Sequence, residues 1–338
     1  MAIRVAIDAL GGDHAPGEVV AGAHAAASDT LAPVLFGPPT LETGDIELVP
    51  CAENIAMHEK PAEAVRGKPD SSLVRAVKAV GEGEAAAVVS AGNTGAVLAA
   101  SLLHVRRLPG VLRPGIAIVI PSKRGPTVLI DAGANADVRP EHLVQFAHMG
   151  IVFAEELLDV RDPTVRLLSI GEEAEKGDQL TLEAHALLTG ADLRFEGNTE
   201  GRALLEGDAD VVVCDGFTGN VALKTLEGTI RSVLDALRSE IRSSVRGKVG
   251  GLLIRPAARN LRARLDPETY GGGYLLGLRG LVVIAHGSSS RVAIANATRM
   301  AARGVEHGLV DRLAARLPTE RPDAVADGAA PTVEATGG

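Results

Sequence analysis

The chain contains 338 residues, and 46% of them are hydrophobic, so it can bury a large core in one large or two smaller α/β domains. Its formal net charge of −9 argues against a general nucleic-acid-binding protein, which would normally carry an excess of basic residues. Its two cysteines, Cys51 and Cys214, give no disulfide framework and are typical of a reducing cytosol.

Apolar runs predict seven strands, at residues 4–10, 85–92, 115–121, 127–133, 166–171, 210–216 and 280–287. Helical segments follow most of these strands, which is typical of βαβ units around a mainly parallel sheet. The first strand occupies the place where a signal peptide would lie, and no run of 18 apolar residues could span a membrane. We therefore expect a cytoplasmic α/β protein.

Six of the predicted strands end in polar, glycine-rich turns. In chain order these turns read DALGGDHAP, SAGNTGA, DAGANAD, SIGEE, CDGFTGN and AHGSSS. Ligands of parallel α/β sheets bind beyond the carboxyl ends of the strands. We expect the six turns at the same edge of one sheet, where they would form a composite active site.

A long helix is predicted over about 221–246, because large apolar residues recur there at spacings of three and four. A second helical segment, 249–266, follows it. We expect the two to form a helical hairpin, about 238–266, that projects from a single domain over 1–317. Residues 318–338 contain few large apolar side chains and much Pro, Gly and Ala, which predicts a disordered tail.

Familiar catalytic signatures are missing from the sequence. It contains no G-x-x-x-x-G-K-[ST], G-x-G-x-x-G, G-x-S-x-G or H-E-x-x-H pattern, which weakens assignments to nucleotide hydrolysis, dinucleotide binding, serine hydrolysis and zinc proteolysis. Cys214 is a possible nucleophile beside Asp215, but its apolar flank favours a packed core thiol.

Asparagines recur in the predicted turns. Gly-Asn pairs place Asn93, Asn198 and Asn220 after strand-like segments, and Asn135 lies in DAGANAD. Each asparagine alone is explained by helix capping or a left-handed turn. Together with the free N–H groups near Gly219, they could instead surround a phosphate or a developing oxyanion. Both interpretations stay open at this point.

Charged and hydroxyl side chains complete the set of candidates. Lys176, in IGEEAEKGDQL, is a cation at neutral pH and could hold an anionic nucleophile if it faces the cleft. Asp215 could orient a partner, hold Lys176 or handle a proton, and its structural alternative is to cap the next turn. His286 and Ser288, in AHGSSS, are secondary candidates for anion binding.

The segment between Arg238 and Arg264 has a charge unlike the rest of the chain. It contains eight basic residues and one acid, Glu240. A basic amphipathic helix of this kind can lie on an anionic membrane or bind an acidic partner protein, and we favour these over a dimer-interface hairpin. The residues expected to make the contact are Leu252, Leu253, Ile254, Arg255, Arg259, Leu261 and Arg262.

In their order along the chain, these motifs resemble the bacterial phosphate acyltransferases of phospholipid synthesis, the PlsX family. The resemblance runs from DALGGDHAP through SAGNTGA, DAGANADVRPEHLVQFAHMG, IGEEAEKG, FEGNTEGR and VVVCDGFTGNVALKTLEG to YGGGYLLGLRGLVVIAHGSSS, essentially residues 3–317. Each segment is unspecific by itself, but the ordered set is highly specific. Leu10 stands where the family more often has Met, a change of similar volume.

The resemblance implies transfer of an acyl group from acyl-acyl carrier protein to inorganic phosphate, giving an acyl phosphate that a membrane acyltransferase uses on glycerol 3-phosphate. It also implies a homodimer with a three-layer α/β/α, Rossmann-like fold related to isocitrate dehydrogenases and phosphotransacetylases. Lys176 and Asp215 match the family residues implicated in catalysis. No metal or organic cofactor is expected.

The residues themselves do not exclude other functions. A phosphotransacetylase-like enzyme would use acyl-CoA in place of acyl-acyl carrier protein, and no sequence feature selects the thiol. A noncatalytic scaffold for carrier protein and membrane is a third possibility, and a dehydrogenase is the weakest. Phosphate could attack the thioester directly, or an acyl-Cys214 intermediate could form first.

Overall fold

The structure is a computed structural model that describes residues 2–265 and 271–317. One mixed sheet of eleven strands runs through these residues. The strands are β1 Ile3–Asp8, β2 Leu31–Gly37, β3 Glu47–Pro50, β4 Ala87–Ser90, β5 Gly115–Pro121, β6 Pro126–Ile130, β7 Val165–Leu168, β8 Phe195–Thr199, β9 Val211–Val213, β10 Gly273–Leu276 and β11 Leu281–Ile284.

Ten α-helices and one 3-10 helix, Gly201–Leu205, accompany the sheet in the described part of the chain. The helices are α1 Gly17–Ala26, α2 Pro61–Gly67, α3 Ser72–Gly81, α4 Thr94–His104, α5 Pro140–Leu158, α6 Gln179–Thr189, α7 Gly216–Ser243, α8 Val245–Leu265, α9 Arg291–Glu306 and α10 Leu309–Arg316.

The sheet consists of two sets of strands that point in opposite directions. Its order is β3-β2-β1-β4-β11-β10-β5-β6-β9-β7-β8. The neighbouring strands from β3 to β11 are parallel to one another, and so are those from β6 to β8. Between these two sets, β5 is antiparallel to both β10 and β6, and β10 is antiparallel to β11. Consequently β6, β9, β7 and β8 run opposite to β3, β2, β1, β4 and β11.

The expectation that all six turns share one edge of the sheet is therefore wrong. The turns after β1, β4 and β11 lie at one edge, and those after β6, β7 and β9 lie at the other. The cause is the link between β5 and β6, which consists of residues 122–125 alone. A parallel connection needs a crossover of a dozen or more residues, so this short link makes an antiparallel hairpin.

The two sets are staggered along the strand direction, and this stagger nevertheless brings the last residues of β11 and β6 level with each other across the sheet. One row of paired residues crosses the middle of the sheet, and it consists of Val283, Tyr274, Ala117 and Ile130. Val283 is the next-to-last residue of β11, and Ile130 is the last residue of β6. Two oppositely directed sets of strands therefore end beside each other near β5.

Helices cover both faces of the sheet, which confirms the predicted three-layer α/β/α architecture. In β1, Val5 and Ile7 point to the face covered by α1, α5, α6, α9 and α10. Ala6 points to the other face, which is covered by α2, α3 and α4, and farther along the sheet by the 3-10 helix and α7. This alternation follows from the two-residue period of a strand buried on both sides.

The predicted helical hairpin is formed by α7 and α8. Helix α7 begins at Gly216, five residues before the predicted start, because the Asp215 carboxylate accepts the Thr218 N–H at 2.8 Å and caps it. Helix α8 packs mainly against α7. No helix among the described residues is long and apolar enough to cross a membrane. The predicted tail, 318–338, lies outside the described residues, as does the side chain of Arg262.

Candidate functional site

A cleft of about 440 Å³ lies where the two sets of strands meet. Its walls come from β5, the turn after β6, the first half of α7 and the end of β11. Thr94, which follows β4, also contributes to its lining. The cleft is thus built from strand ends of both sets, although those strands point in opposite directions.

Most of the cleft wall is hydrocarbon. Alternate residues of β5, from Ile116 through Ile118 to Ile120, share one face of the sheet because side chains in a strand alternate. Across the cleft, α7 presents Leu223, Leu226 and Ile230, whose spacing of three and four places them on one side of the helix. An apolar wall of this extent suits an alkyl chain better than a compact charged ligand.

One side of the cleft carries three charged or ionisable side chains, which we call the charged group: Lys224, Glu227 and His286. The Lys224 ammonium donates to Glu227 Oε2 at 2.9 Å and lies 3.1 Å from His286 Nδ1. His286 Nε2 lies 3.0 Å from Glu227 Oε1, an ion-pair distance, but off the line of a hydrogen bond. Helix α7 thereby contacts the end of β11 through side-chain charge.

The partners in the charged group determine its protonation. An ammonium has donors only, so in the contact between Lys224 and His286 the imidazole Nδ1 is the acceptor. Burial alone would raise the pKa of Glu227, but the neighbouring His286 and Lys224 lower it to about 2. Glu227 is therefore a carboxylate at neutral pH.

The CDGFTGN turn packs tightly against the turn after β6. Gly216 N donates to Asn135 O at 2.8 Å. A Cβ on Gly219 would come within 2.0 Å of Asp131 O, so only glycine fits there. The structure thus gives both glycines a packing role, and Gly219 itself does not line the cleft among the described residues.

Asn135 is buried in the same turn. Its amide donates to Pro114 O at 2.7 Å and to Asp131 Oδ2 at 2.8 Å. The Asp131 carboxylate also accepts main-chain N–H groups from four residues, namely Ile116, Gly133, Ala134 and Asn135. Burial raises the pKa of Asp131 against these hydrogen bonds. The Asn135 side chain therefore holds a turn.

Asn198 plays a similar part beside Lys176. Its amide donates to Glu173 O at 2.8 Å, and its oxygen lies 2.9 Å from His185 Nδ1. These contacts hold the loop that carries Lys176, whose own side chain is exposed. Strand β7, before this loop, pairs with β9, before Asp215, so the two predicted catalytic residues follow neighbouring strands.

The remaining candidates lie at the other edge or on α7. Asn93 caps α4 by accepting the Ala96 N–H at 3.1 Å, and its amide donates to Met57 O at 2.9 Å. Ser288 is exposed before α9. Asn220 is exposed on α7 and lines the cleft.

Of the predicted site residues, the structure brings His286 and Asn220 together on the cleft. The others, Lys176, Asp215, Asn93, Asn135, Asn198, Gly219 and Ser288, are not among the described residues that line it. Lys224 and Glu227 were not predicted as site residues from the sequence. A signal for them was present, since they lie three residues apart on the helix that follows CDGFTGN and therefore share one helical face.

Cys214 is a packed core thiol, as the sequence favoured. Its side chain is buried, and its Sγ lies 3.6 Å from Asp131 O. Burial, with the nearby carboxylates of Asp131 and Asp215, raises the thiol pKa well above its ordinary value. A thiol in this environment is a poor nucleophile, because the thiolate is the reactive form.

The hairpin exposes apolar and basic side chains together. Leu252 is 67% exposed, Leu253 78% and Ile254 47%, so the apolar side chains near the start of α8 are largely uncovered. Arg255 and Arg259 are exposed on the same helix. Leu261 is also exposed.

Comparison with known proteins gives the family. Residues 3–312 match the family model described as "Fatty acid synthesis protein". The chain is 44% identical to a phosphate acyltransferase of Heliobacterium modesticaldum over 328 residues, 94% of this chain and 98% of that protein. It is 45% identical to one of Desulfitobacterium hafniense over 327 residues, with the same two coverages.

A solved structure supports the fold. A phosphotransacetylase from Streptococcus pyogenes superposes with a TM-score of 0.59 over 90% of this chain and 94% of that chain, at 19% identity. This likeness confirms the phosphotransacetylase-like fold that the sequence predicted. Because the family model and the curated relatives both span nearly the whole described chain, the protein belongs to the phosphate acyltransferase family.

Proposed function

We propose that the chain transfers a fatty acyl group from the thioester of acyl-acyl carrier protein to inorganic phosphate. The observation that carries this proposal is the cleft, which combines a long apolar wall with the charged group on one side. The apolar wall fits the acyl chain, and the charged group fits phosphate. The names of the curated relatives, phosphate acyltransferases, support the same reaction.

The acyl chain supplies much of the binding energy in this proposal. Each methylene that leaves water for the wall between β5 and α7 contributes about 0.8 kcal/mol. A long chain would therefore be held strongly, with its thioester carbonyl close to the charged group. A short acetyl group would gain little from the same wall.

The reaction needs no nucleophile from the protein. A phosphate oxygen attacks the thioester carbonyl carbon, the carbon–sulfur bond breaks, and the proton of hydrogen phosphate passes to the departing thiolate. The products are an acyl phosphate and the carrier thiol, so atoms and charge balance. The buried Cys214, with its raised pKa, favours this direct attack over an acyl-enzyme.

Lys176 and Asp215 are proposed as catalytic residues at the edge beside the cleft. Asp215 directly precedes Gly216, a lining residue, and Lys176 extends from the loop after the neighbouring strand. The Lys176 ammonium would offset negative charge on the tetrahedral oxyanion, and Asp215 would orient that ammonium or the phosphate proton. Replacing either with Ala should lower turnover about 100-fold.

The acyl phosphate is proposed to pass to a membrane glycerol-3-phosphate acyltransferase, with the enzyme cytoplasmic, homodimeric and peripherally attached to the bilayer. The exposed Leu252, Leu253 and Ile254 would enter an anionic surface, while Arg255 and Arg259 meet its charge. Each basic residue near such a surface contributes about 1 kcal/mol. The same arginines could receive the acidic carrier protein.

The reaction is tested by acyl phosphate formation from palmitoyl-acyl carrier protein and phosphate, beside palmitoyl-CoA. Ile230→Glu places a charge on the cleft wall and should lower kcat/KM at least tenfold, since burying an unpaired charge is costly. Val233→Glu is the matched control one turn along α7, because Val233 is 60% exposed and outside the cleft. Equal rates for both variants would remove the cleft from the proposal. Preference for palmitoyl-CoA would indicate the phosphotransacetylase-like alternative, and no turnover with either donor would indicate a scaffold.

Membrane attachment is tested by flotation with vesicles that contain anionic lipid. The double variant Leu252→Glu/Leu253→Glu should lose most of the bound fraction. Leu103→Glu is the control, because Leu103 is 54% exposed on α4, outside the hairpin. Unchanged flotation of the double variant would contradict the proposed attachment.

A further inference from the structure

The charged group contains contacts among its own side chains that phosphate binding alone does not explain. Glu227 is held in place, since its side chain is only 14% exposed and contacts both Lys224 and His286. Lys224 is 51% exposed and lines the cleft. His286 contacts both, with Nδ1 3.1 Å from the Lys224 ammonium and Nε2 3.0 Å from Glu227 Oε1.

The proposed reaction moves a proton, because hydrogen phosphate loses one and the thiolate gains one, and a group that accepts and returns that proton would assist the transfer. Lys224 is already an ammonium and has no accepting lone pair. Glu227 is held ionised by its neighbours and binds a proton weakly. The imidazole of His286 can take a proton on Nδ1 while its Nε2 stays 3.0 Å from Glu227 Oε1.

We propose that His286 is a catalytic residue that carries the proton from phosphate to the leaving thiolate, and that Glu227 is the positioning residue that orients its ring. This inference rests on the proposed function. Lys224 covers His286 Nδ1 while the cleft is empty and moves to the phosphate when it binds. A phosphate dianion competes well for an ammonium, because charge-assisted hydrogen bonds are about twice as strong as neutral ones.

In the transfer step, His286 Nδ1 accepts the P–OH proton as the phosphate oxygen bonds to the carbonyl carbon. The imidazolium is stabilised by the Glu227 carboxylate on its other side, as in other carboxylate–imidazole pairs. As the carbon–sulfur bond breaks, Nδ1 returns the proton to sulfur. His286 ends neutral, with Nδ1 again free for Lys224.

Steady-state kinetics with palmitoyl-acyl carrier protein separate the three roles. His286→Gln should lower kcat about 100-fold, the usual range for losing a general acid–base group, with little change in KM for phosphate. Glu227→Gln should lower kcat by about tenfold, with KM for phosphate again nearly constant. Lys224→Met should raise KM for phosphate about tenfold, and Lys224→Arg should recover most of that loss.

Asp235→Asn is the matched control, because Asp235 forms an exposed ion pair with Arg238, which lies three residues farther along the same helix. It should leave both constants unchanged. A folded His286→Gln variant with kcat within about threefold of the unmodified enzyme would overturn the inference while the proposed function stood. Absence of acyl phosphate formation by the unmodified enzyme would instead overturn the proposed function, and this inference with it.

Nitrogen-15 NMR of the histidine rings gives a readout that a merely structural role would not move. The resonances of His286 should show the proton on Nε2 in the free enzyme, and inorganic phosphate should shift the Nδ1 resonance as Lys224 leaves. In Lys224→Met the same phosphate titration should not produce that shift. A proton on Nδ1 in the free enzyme would contradict the proposed arrangement.

Discussion

Asn135 and His286 each follow a strand of the central sheet, but they have different kinds of partner. The Asn135 amide is buried and bonds to Pro114 O and the Asp131 carboxylate, inside the turn. His286 is partly exposed and contacts Lys224 and Glu227 of another element, on the wall of the cleft. A polar residue in a strand-end turn is thus a site candidate only when its partners leave it facing open space.

The largest expected effect comes from the packing of the CDGFTGN turn. Gly219→Ala should destabilise the protein by more than about 4 kcal/mol or prevent folding, because the added Cβ would overlap Asp131 O. Gly228→Ala, on the same helix with no atom within 4 Å, should stabilise it by about 0.5–1 kcal/mol. Urea unfolding measures both changes. A mild effect of Gly219→Ala would mean that this turn has the freedom expected of a ligand-binding loop.

The next effect concerns the charged group in acid. Because the pKa of Glu227 is lowered to about 2 in the folded protein, its ion pairs stabilise the fold fully above about pH 4.5, and the benefit falls as pH drops toward 2. The difference in unfolding free energy between the unmodified protein and Glu227→Gln should therefore shrink by on the order of 3 kcal/mol across that window. The exposed pair of Asp235 should give a difference of about 0.5 kcal/mol or less. A difference for Glu227 that does not vary with pH would contradict the described ion pairs.

A smaller effect separates the two kinds of asparagine. Asn135→Ala should cost about 2 kcal/mol in unfolding free energy, because it leaves the buried Asp131 carboxylate and Pro114 O short of a donor. Asn220→Ala, at an exposed position on α7, should change stability by about 0.5 kcal/mol or less. Calorimetry of the two variants side by side measures this contrast. Equal costs would remove the distinction between turn residues and cleft residues.

The smallest effect is expected at Cys214. Cys214→Ala should keep acyl phosphate formation within about threefold, because the buried thiol with its raised pKa takes no part in direct attack. The unmodified folded protein should also react slowly with a thiol reagent. Loss of turnover in a folded Cys214→Ala variant would restore the acyl-enzyme route.

Much of the fold was readable from hydrophobic periodicity. The strand predicted at 115–121 matches β5, Gly115–Pro121, and the run predicted at 127–133 overlaps β6 but continues past its end at Ile130. The overrun consists of Asp131, Ala132 and Gly133, which the structure places in the turn after β6. The direction of β6 was predicted wrongly, although the residues between the two strands are too few for a parallel crossover and could have shown it.

The site was less readable, because its meaning depends on contacts between distant segments. His286 was singled out, but Glu227 lies 59 positions earlier in the chain, and only the packing of α7 beside β11 brings the two within 3.0 Å. Conversely, the sequence left Asn135 and Asn198 open as anion ligands or as turn residues, and only the structure shows their internal partners. Local patterns identify turn residues, but they do not show which side of the turn is covered.

In the proposed function, the acyl chain lies between β5 and α7 with its thioester at the charged group. The most direct measurement is photo-crosslinking with carrier protein that bears a C16 acyl chain with a diazirine at mid-chain, followed by peptide mass spectrometry. We expect adducts within residues 116–121 and 223–230, the two segments that contain the cleft-lining residues of β5 and α7. Adducts confined to the hairpin, or distributed over surfaces away from α7 and β5, would contradict it.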